Sequence, residues 1–268
     1  MKKIFILLMI ALTAIAGFTK QNPYLQAQLF YSKFSAPVDG PYIETYLSVV
    51  GNSVRYIKNE NGSYQGKIEV TMVFSKDGKV ANFDKYELLS PEVPDTVNIN
   101  FNFLDQQRFT LPNGIYEFEI QIRDINSAKE PFKTTQTVEI NFPENEISLS
   151  GIELLESYSK SSETSILTKS GYDLIPFVYT FFPERINNLK FYCEIYNTQK
   201  VFGQEGKFLV NYYIESFETQ RRITDFVRFK RETARLVNIV LAEFEISKLP
   251  SGNYNLVVEA KNTENKVV

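Results

Sequence analysis

The chain reads as all-β: two tandem immunoglobulin- or fibronectin III-like β-sandwiches, the second lacking its last strand. Three observations carry that reading. Runs rich in β-branched and aromatic residues follow one another from Gln28 onward, separated by turn dipeptides. A Leu-Pro-x-Gly-x-Tyr motif occurs twice, 138 residues apart, each time followed by an alternating strand. A 3.6-residue apolar period competes with alternation only over residues 231–245.

The first element is an export signal, residues 1–27. Lys2 and Lys3 precede an apolar run of 15 residues, 4–18. A membrane helix needs about 20. Ala14-Ile15-Ala16 supplies a small-x-small cleavage site, and Leu25-Gln26-Ala27 a second, so cleavage is expected after Ala16 or Ala27. No Cys follows the run, which excludes a lipid anchor, and no later stretch reaches membrane length. Cleavage after Ala27 removes Lys2, Lys3 and Lys20 and no acid, leaving 26 basic against 32 acidic side chains, a net of −6. Such a chain repels phosphate backbones, so nucleic acid is not expected as a partner. The expected location is the periplasm or cell surface of a Gram-negative bacterium, with a protein partner in the envelope.

The first sandwich spans residues 28–142. Its strands are expected at 42–50, 67–75, 79–89, 97–104, 115–124 and 133–142. Asn61-Gly62, Asp77-Gly78 and Asn113-Gly114 mark turns, and Asp77-Gly78, between two alternating runs, is the strongest hairpin signal. Residues 143–146, Pro-Glu-Asn-Glu, read as a short acidic linker before the second sandwich, 147–268. Within it, 231–245 reads as a strand with Val237, Ile239 and Leu241 alternating against Asn238, Val240 and Ala242.

The repeat defines the corner of each sandwich. Leu111-Pro112-Asn113-Gly114-Ile115-Tyr116 precedes Phe118, Ile120 and Ile122; Leu249-Pro250-Ser251-Gly252-Asn253-Tyr254 precedes Leu256, Val258 and Ala260. Tyr116 and Tyr254 share the inward face with these apolar residues. A buried tyrosine there must place its hydroxyl on a backbone carbonyl or a water, as in the tyrosine corner of immunoglobulin-like sandwiches. The 138-residue offset places the closing strand of the second sandwich past Val268. The sequence is therefore expected to be a fragment, or to accept that strand from a partner.

Residues 39–49, Asp-Gly-Pro-Tyr-Ile-Glu-Thr-Tyr-Leu-Ser-Val, resemble the start of exported Bacteroidetes proteins that carry a GWxTD domain. So do Phe191-Tyr192-Cys193-Glu194-Ile195-Tyr196-Asn197 and Leu249-Pro250-Ser251-Gly252-Asn253-Tyr254. The resemblance implies tandem β-sandwich segments placed ahead of the domain that gives the family its name. The naming Gly-Trp-x-Thr-Asp motif is absent, since the chain has no Trp.

Composition excludes much chemistry. With no His and one Cys, Ser-His-Asp and Cys-His catalysis, imidazole zinc sites and intramolecular disulfides are removed. No catalytic constellation, cofactor or metal is expected. Glu117, Glu119, Gln121 and Arg123 read as the solvated face of a strand rather than a glycosidase pair. Cys193, between Phe191 and Ile195 on one face, reads as a core residue. Phe177, Tyr179, Phe181 and Phe182 read as core packing rather than a sugar platform. Arg221, Arg222, Arg228, Lys230, Arg231 and Arg235 give residues 219–235 a charge of +4 against Asp225 and Glu232. They form a candidate interaction patch, or an edge whose charges discourage strand pairing. Asp95-Thr96-Val97 resembles a Bacteroidetes O-glycosylation acceptor, making Thr96 a candidate modification site on an exposed turn. The expected function is that of a non-catalytic envelope protein whose sandwiches act as spacers and protein-binding modules. The alternatives are a fibre subunit or assembly factor working by strand donation, or the accessory region of an enzyme whose catalytic domain lies beyond Val268.

Overall fold

Strand follows strand in the computed structural model, which describes Ile10–Ala11, residues 24–179 and residues 181–268. Most of the expected export signal, including its Ala16 cleavage site, lies outside the described residues. The chain is all-β and divides into two compact units. One holds residues 24–31 with Gly40–Asn141; the other holds Ser32–Asp39 with Phe142–Val268.

The N-terminal unit is built from β1 (Ile10–Ala11), the first half of β2 (Ala27–Ala36), whose residues from Ser32 on belong to the other unit, β3 (Gly40–Val50), β4 (Tyr56–Lys58), β5 (Tyr64–Lys76), β6 (Lys79–Leu89), β7 (Asn102–Thr110), β8 (Gly114–Asp124) and β9 (Phe132–Ile140). One sheet has the order β1-β2-β3-β7; the other runs β4-β5-β8-β9, with β6 also paired to β5. Alternation sets the inward faces: Ile68, Val70, Met72 and Phe74 of β5 are fully buried, as are Ile43 and Val49 of β3. Phe74 stacks on Phe118 at 4.3 Å between ring centroids and tilts against Phe109 at 5.0 Å, so three strands meet at one aromatic cluster. Fully burying one such side chain contributes about 1.5–3 kcal/mol.

The β5–β6 hairpin turns on Asp77 (φ 52°) and Gly78 (φ 73°). Two successive left-handed residues make the turn whose twist matches the flanking strands, and Asp-Gly tolerates it best. The strand expected at 97–104 begins only at Asn102, because its partner β3 ends at Val50, opposite Asn102. Residues 97–101 instead fold over the 3₁₀ turn Gly51–Ser53, where the Gly51 amide donates to the Phe101 carbonyl at 3.0 Å. A side chain at position 51 would collide with that carbonyl and with Ile99, so only glycine fits.

The C-terminal unit is built from β10 (Ser148–Leu149), β11 (Glu153–Lys160), β12 (Thr168–Lys169), β13 (Tyr172–Pro176), β14 (Asn188–Tyr196), the single-turn α1 (Thr198–Phe202), β15 (Lys207–Ser216), β16 (Arg222–Thr233), β17 (Val237–Glu245) and β18 (Tyr254–Lys261). β14 is central in one sheet, with β17 on one side and β10 and β11 in line on the other. The facing sheet has three strands, β16-β15-β18. Phe191, Cys193 and Ile195 of β14 meet Phe208, Val210 and Ile214 of β15 in the core. Burial and the neighbouring Glu194 charge push the Cys193 thiol far up, so it is an inert packing residue.

One expectation for this unit needs correction, and one strand's inward side, left open by alternation, is now fixed. Residues 237–245 do form a strand, but Val240 and Phe244 supply its buried apolar face, while Val237, Ile239 and Leu241 are only half-buried. Asn238 occupies a core-facing position because the turn satisfies it: its amide donates to Thr233 O at 2.8 Å and its oxygen accepts the Thr198 hydroxyl at 2.6 Å. Ser32–Asp39, expected in the first sandwich, belongs to the C-terminal unit. Phe34 is wholly buried with its ring 6.3 Å from Tyr192; Gly151 N–H donates to Lys33 O at 2.7 Å; and Ser32 Oγ donates to Ile152 O at 3.2 Å. A methyl at Gly151 would lie 3.0–3.1 Å from Lys33 N and from the Cα and Cβ of Ser32, so a larger residue would force this segment outward by a few tenths of an ångström.

The change of unit at Asn141/Phe142 lies close to the expected linker. Residues 143–146 are nevertheless fastened to their own unit, as the Asn197 amide donates to Pro143 O at 2.7 Å and Glu146 O at 2.9 Å.

Candidate functional site

The two repeat tyrosines carry the same contact. Tyr116 donates to Pro112 O at 2.7 Å and Tyr254 to Pro250 O at 2.7 Å. Proline fixes the corner, and the hydroxyl four residues on reaches back to its carbonyl. Burial distinguishes the two. Tyr116, Phe118 and Ile120 are 2%, 1% and 5% exposed beneath β9, whereas Tyr254, Leu256 and Val258 are half-buried. Tyr116→Phe is therefore expected to destabilise the N-terminal unit by about 1–2 kcal/mol, because a buried side chain loses its bond to the Pro112 carbonyl. Tyr254→Phe should have less than half that effect, because Tyr254 is only half-buried and water reaches the bond that its hydroxyl makes. Hydrogen exchange in β8 and β18 checks both; equal losses would mean that burial does not set the difference.

A second repeat escaped the sequence reading. Tyr42-Ile43-Glu44-Thr45-Tyr46 and Tyr192-Cys193-Glu194-Ile195-Tyr196 share a Tyr-x-Glu-x-Tyr pattern 150 residues apart. Both place a glutamate in the middle of a central strand, on the face turned away from the core, and both glutamates are buried, at 0% and 8% exposure. Tyr46 donates to Glu44 at 2.6 Å, and Arg108 of β7 pairs with the same carboxylate. Burial alone would lower the Arg108 pKa; the Glu44 charge outweighs it and holds it above its ordinary value. Tyr192 and Tyr196 both donate to Glu194, the latter at 2.5 Å, and the Ser170 hydroxyl adds a third bond at 3.3 Å. Ser170 (φ 48°) and Gly171 (φ 82°) form the left-handed turn that delivers it. Each carboxylate is held by a tyrosine of its own strand and by a group from elsewhere, Arg108 or Ser170, which suits it to fixing a sheet face. The signal that could have found them was the repeat itself, masked by its different offset from the corner motif.

The basic residues of 219–235 lie on or beside β16, an edge strand. They do not form one surface. Arg228 and Lys230 stand opposite Tyr212 and Val210 on the inward side, while Arg231 stands opposite Leu209 on the outer side. Arg222 stacks 4.0 Å from the Tyr213 ring and pairs with Glu259 at 3.2 Å. Burial alone would raise the Glu259 pKa; the Tyr213 hydroxyl, the Asn211 amide and the Arg222 and Lys261 charges together hold it below the ordinary range. Lys230 pairs with Glu232 at 2.6 Å, and Arg228 donates to the carbonyls of Asp225 and Val227, each at 2.9 Å. Arg221, Arg231 and Arg235 are exposed, with no acidic partner among the described residues. Charges on both sides of an edge strand make it a poor template for pairing with another strand.

The opposite edge of the same sheet differs. Phe217 N–H donates to Asn253 O at 3.0 Å, so Asn253, Asn255, Val257 and Glu259 direct their backbone groups at β15. Those of Tyr254, Leu256 and Val258 point the other way. Along that edge the described pairing is confined to its end, where Lys261 bridges Val267 and Val268 N–H donates to Ala260 O at 3.0 Å.

The remaining candidates are placed as follows. Thr96 is exposed on a turn closed by Val97 N–H donating to Asp95 Oδ1 at 2.9 Å. It borders an open cleft of about 500 Å³ shared with Asn52, Tyr56, Asn98 and Asn100. Glu119 pairs with Lys133 at 2.7 Å on the outer side of its sheet. Phe177 is buried and stacks on Phe182 at 4.5 Å, whereas Phe181 is exposed. Among the described residues no helix is long and apolar enough to cross a membrane, a statement that does not bear on β-barrels. No protein-family model matches the chain, and no curated protein matches it.

Proposed function

We propose that this is a non-catalytic exported envelope protein whose sandwiches act as spacers and protein-binding modules. The contrast between the two edges of the β16-β15-β18 sheet carries the reading. β16 bears charges that repel a pairing strand, while β18 presents backbone donors, acceptors and half-buried aliphatic side chains. Strand addition to an exposed sheet edge is one established way of binding an extended peptide. Export is supported by the charged and apolar leader, with the mature chain starting at Gly17, so that β1 leaves with the leader and the sheet keeps β2-β3-β7. Cleavage there retains Gln26, whose N–H donates to Ser53 Oγ at 2.9 Å and whose carbonyl accepts Val50 N–H at 2.9 Å.

The test is fractionation of cells expressing the full chain, with mass spectrometry of its N-terminus and photo-crosslinkers at Leu256 and, separately, at Arg231. The expected result is an envelope protein beginning at Gly17 that crosslinks to a protein partner from Leu256 and not from Arg231. Retention of Met1 in the cytoplasm, or crosslinks of equal yield from both positions, would overturn the reading.

A further inference from the structure

We infer that the cleft bordered by Asn52, Tyr56, Asn98 and Asn100 in the N-terminal unit binds a neutral saccharide, with hydroxyls on the asparagine amides and a pyranose face on the Tyr56 ring. The site uses no residue of β18, so it stands or falls independently of the binding-module reading.

Its walls are in place before any ligand arrives. The 3₁₀ turn Gly51–Ser53 carries Asn52 and is pinned to residues 97–101 by the bond from Gly51 N–H to Phe101 O at 3.0 Å. Val93 and Tyr64 exchange both backbone bonds, at 2.9 and 2.8 Å, which fixes the start of the loop carrying Asn98 and Asn100. Arg55 N–H donates to Asp124 Oδ2 at 2.7 Å, and the Asn126 amide donates to Arg55 O at 3.0 Å, so the chain entering Tyr56 is held too. The volume, about 500 Å³, suits a small molecule, and a preformed site spends little on ordering.

The lining selects the chemistry. No Asp, Glu, Lys or Arg lines the cleft, in a chain that is 23% charged, so an ionic ligand meets no counter-charge there. The Asn52, Asn98 and Asn100 side chains are exposed and make no hydrogen bond among the described residues. Asn59, Asn61, Asn82 and Asn126 of the same unit are all engaged in internal bonds. An amide presents donors and an acceptor side by side, which matches hydroxyls that both donate and accept. Tyr56 is half-buried with its hydroxyl sealed from solvent beside Ser90, so what it offers the cleft is its ring. The negative face of that ring attracts the C–H groups on one side of a pyranose. An extended peptide fits less well. β4 contributes one lining residue, and the turn and loop that supply the others offer no ladder for a strand.

The probes are maltose, cellobiose and N,N′-diacetylchitobiose in solution, and amylose, cellulose and chitin as polymers. Each disaccharide is titrated into the isotopically labelled full chain while the side-chain amide resonances of Asn52, Asn98 and Asn100 are followed by NMR. Saturable shifts of these resonances by at least one disaccharide, unchanged between low and high salt, are the expected result. Retention on a polymer whose disaccharide causes no shift would place the ligand within a longer glycan and also support the inference. The double variant Asn98→Ala with Asn100→Ala removes two exposed side chains without internal bonds, so its fold is not in question. It should bind about tenfold or more weakly. Tyr56→Phe should bind as the parent does, and Tyr56→Leu about fivefold more weakly. Silence toward all six probes, or parent-like affinity in the asparagine double variant, would overturn the inference. So would binding that salt abolishes, or shifts of the same resonances by the peptide Gly-Ser-Gly-Ser-Gly-Ser and by no sugar.

Discussion

Phe34→Ala is expected to lower the stability of the C-terminal unit by about 3–5 kcal/mol, the range for removing a fully buried aromatic side chain. The substitution lies at the far N-terminal end of the chain, yet its effect should appear more than 150 residues away in β14. Phe34 packs on Tyr192, and the adjacent Ser35 N–H donates to the Tyr196 hydroxyl at 3.0 Å. Loss of the ring unseats Ser32–Asp39 and uncovers the face carrying Tyr192, Glu194 and Tyr196. Hydrogen exchange should quicken across β14 while β5 and β8 keep their protection. The reverse pattern would return Ser32–Asp39 to the N-terminal unit.

Lys169→Met should be of similar size, about 3–5 kcal/mol, because it strips a buried carboxylate of its counter-charge. Lys169 Nζ lies 2.9 Å from Glu153, and the two side chains are only 3% and 1% exposed. The same ammonium sits 5.1 Å from the Phe34 ring, so the contact holding Ser32–Asp39 and the ion pair share a group. Two outcomes follow. The double variant Lys169→Met with Glu153→Gln should recover most of the loss, since no net charge then stays buried. Lys169→Met combined with Phe34→Ala should fall short of additive, because each removes part of what the other supports. Denaturant titration of the parent, the two single variants and the two double variants measures both; Lys169→Met as stable as the parent would mean that this pair is not sealed from water.

Much of the fold was legible because it is local. Alternation located β3, β5, β6, β8 and β9 to within about three residues, and Asp77-Gly78 gave its hairpin because only such a pair accepts two left-handed conformations at low strain. What was not legible depends on distant partners. Val97, Ile99, Phe101 and Phe103 alternate like one strand, but pairing stops where β3 ends, and no local feature records that. Residues 237–245 carry aliphatics on both faces, so alternation fixed the strand and left its inward side undetermined; Phe244 and the satisfied Asn238 decide it. Ser32–Asp39 reads as a continuation of β2, and its allegiance is set by Gly151 and Tyr192. Of the candidate site residues, Tyr116 and Tyr254 could be placed from sequence because the motif encodes its own contact. The basic residues were visible as a cluster, but their division between two sides of β16 required the register with β15.

The attachment of Ser32–Asp39 also bears on how the chain is made. Ser32 is separated from Ile152 by 120 residues and Ser35 from Tyr196 by 161. At a synthesis rate of about 5–20 residues per second, Ser35 waits roughly 8–30 s for its partner. During that interval the residues on either side of the segment have everything they need to fold, and Phe34 does not. The C-terminal unit is thus a structure whose first piece is synthesised early and whose last contacts are synthesised late. A release or pause before β14 leaves an exposed aromatic segment on an otherwise finished neighbour, the kind of surface that holdase chaperones bind.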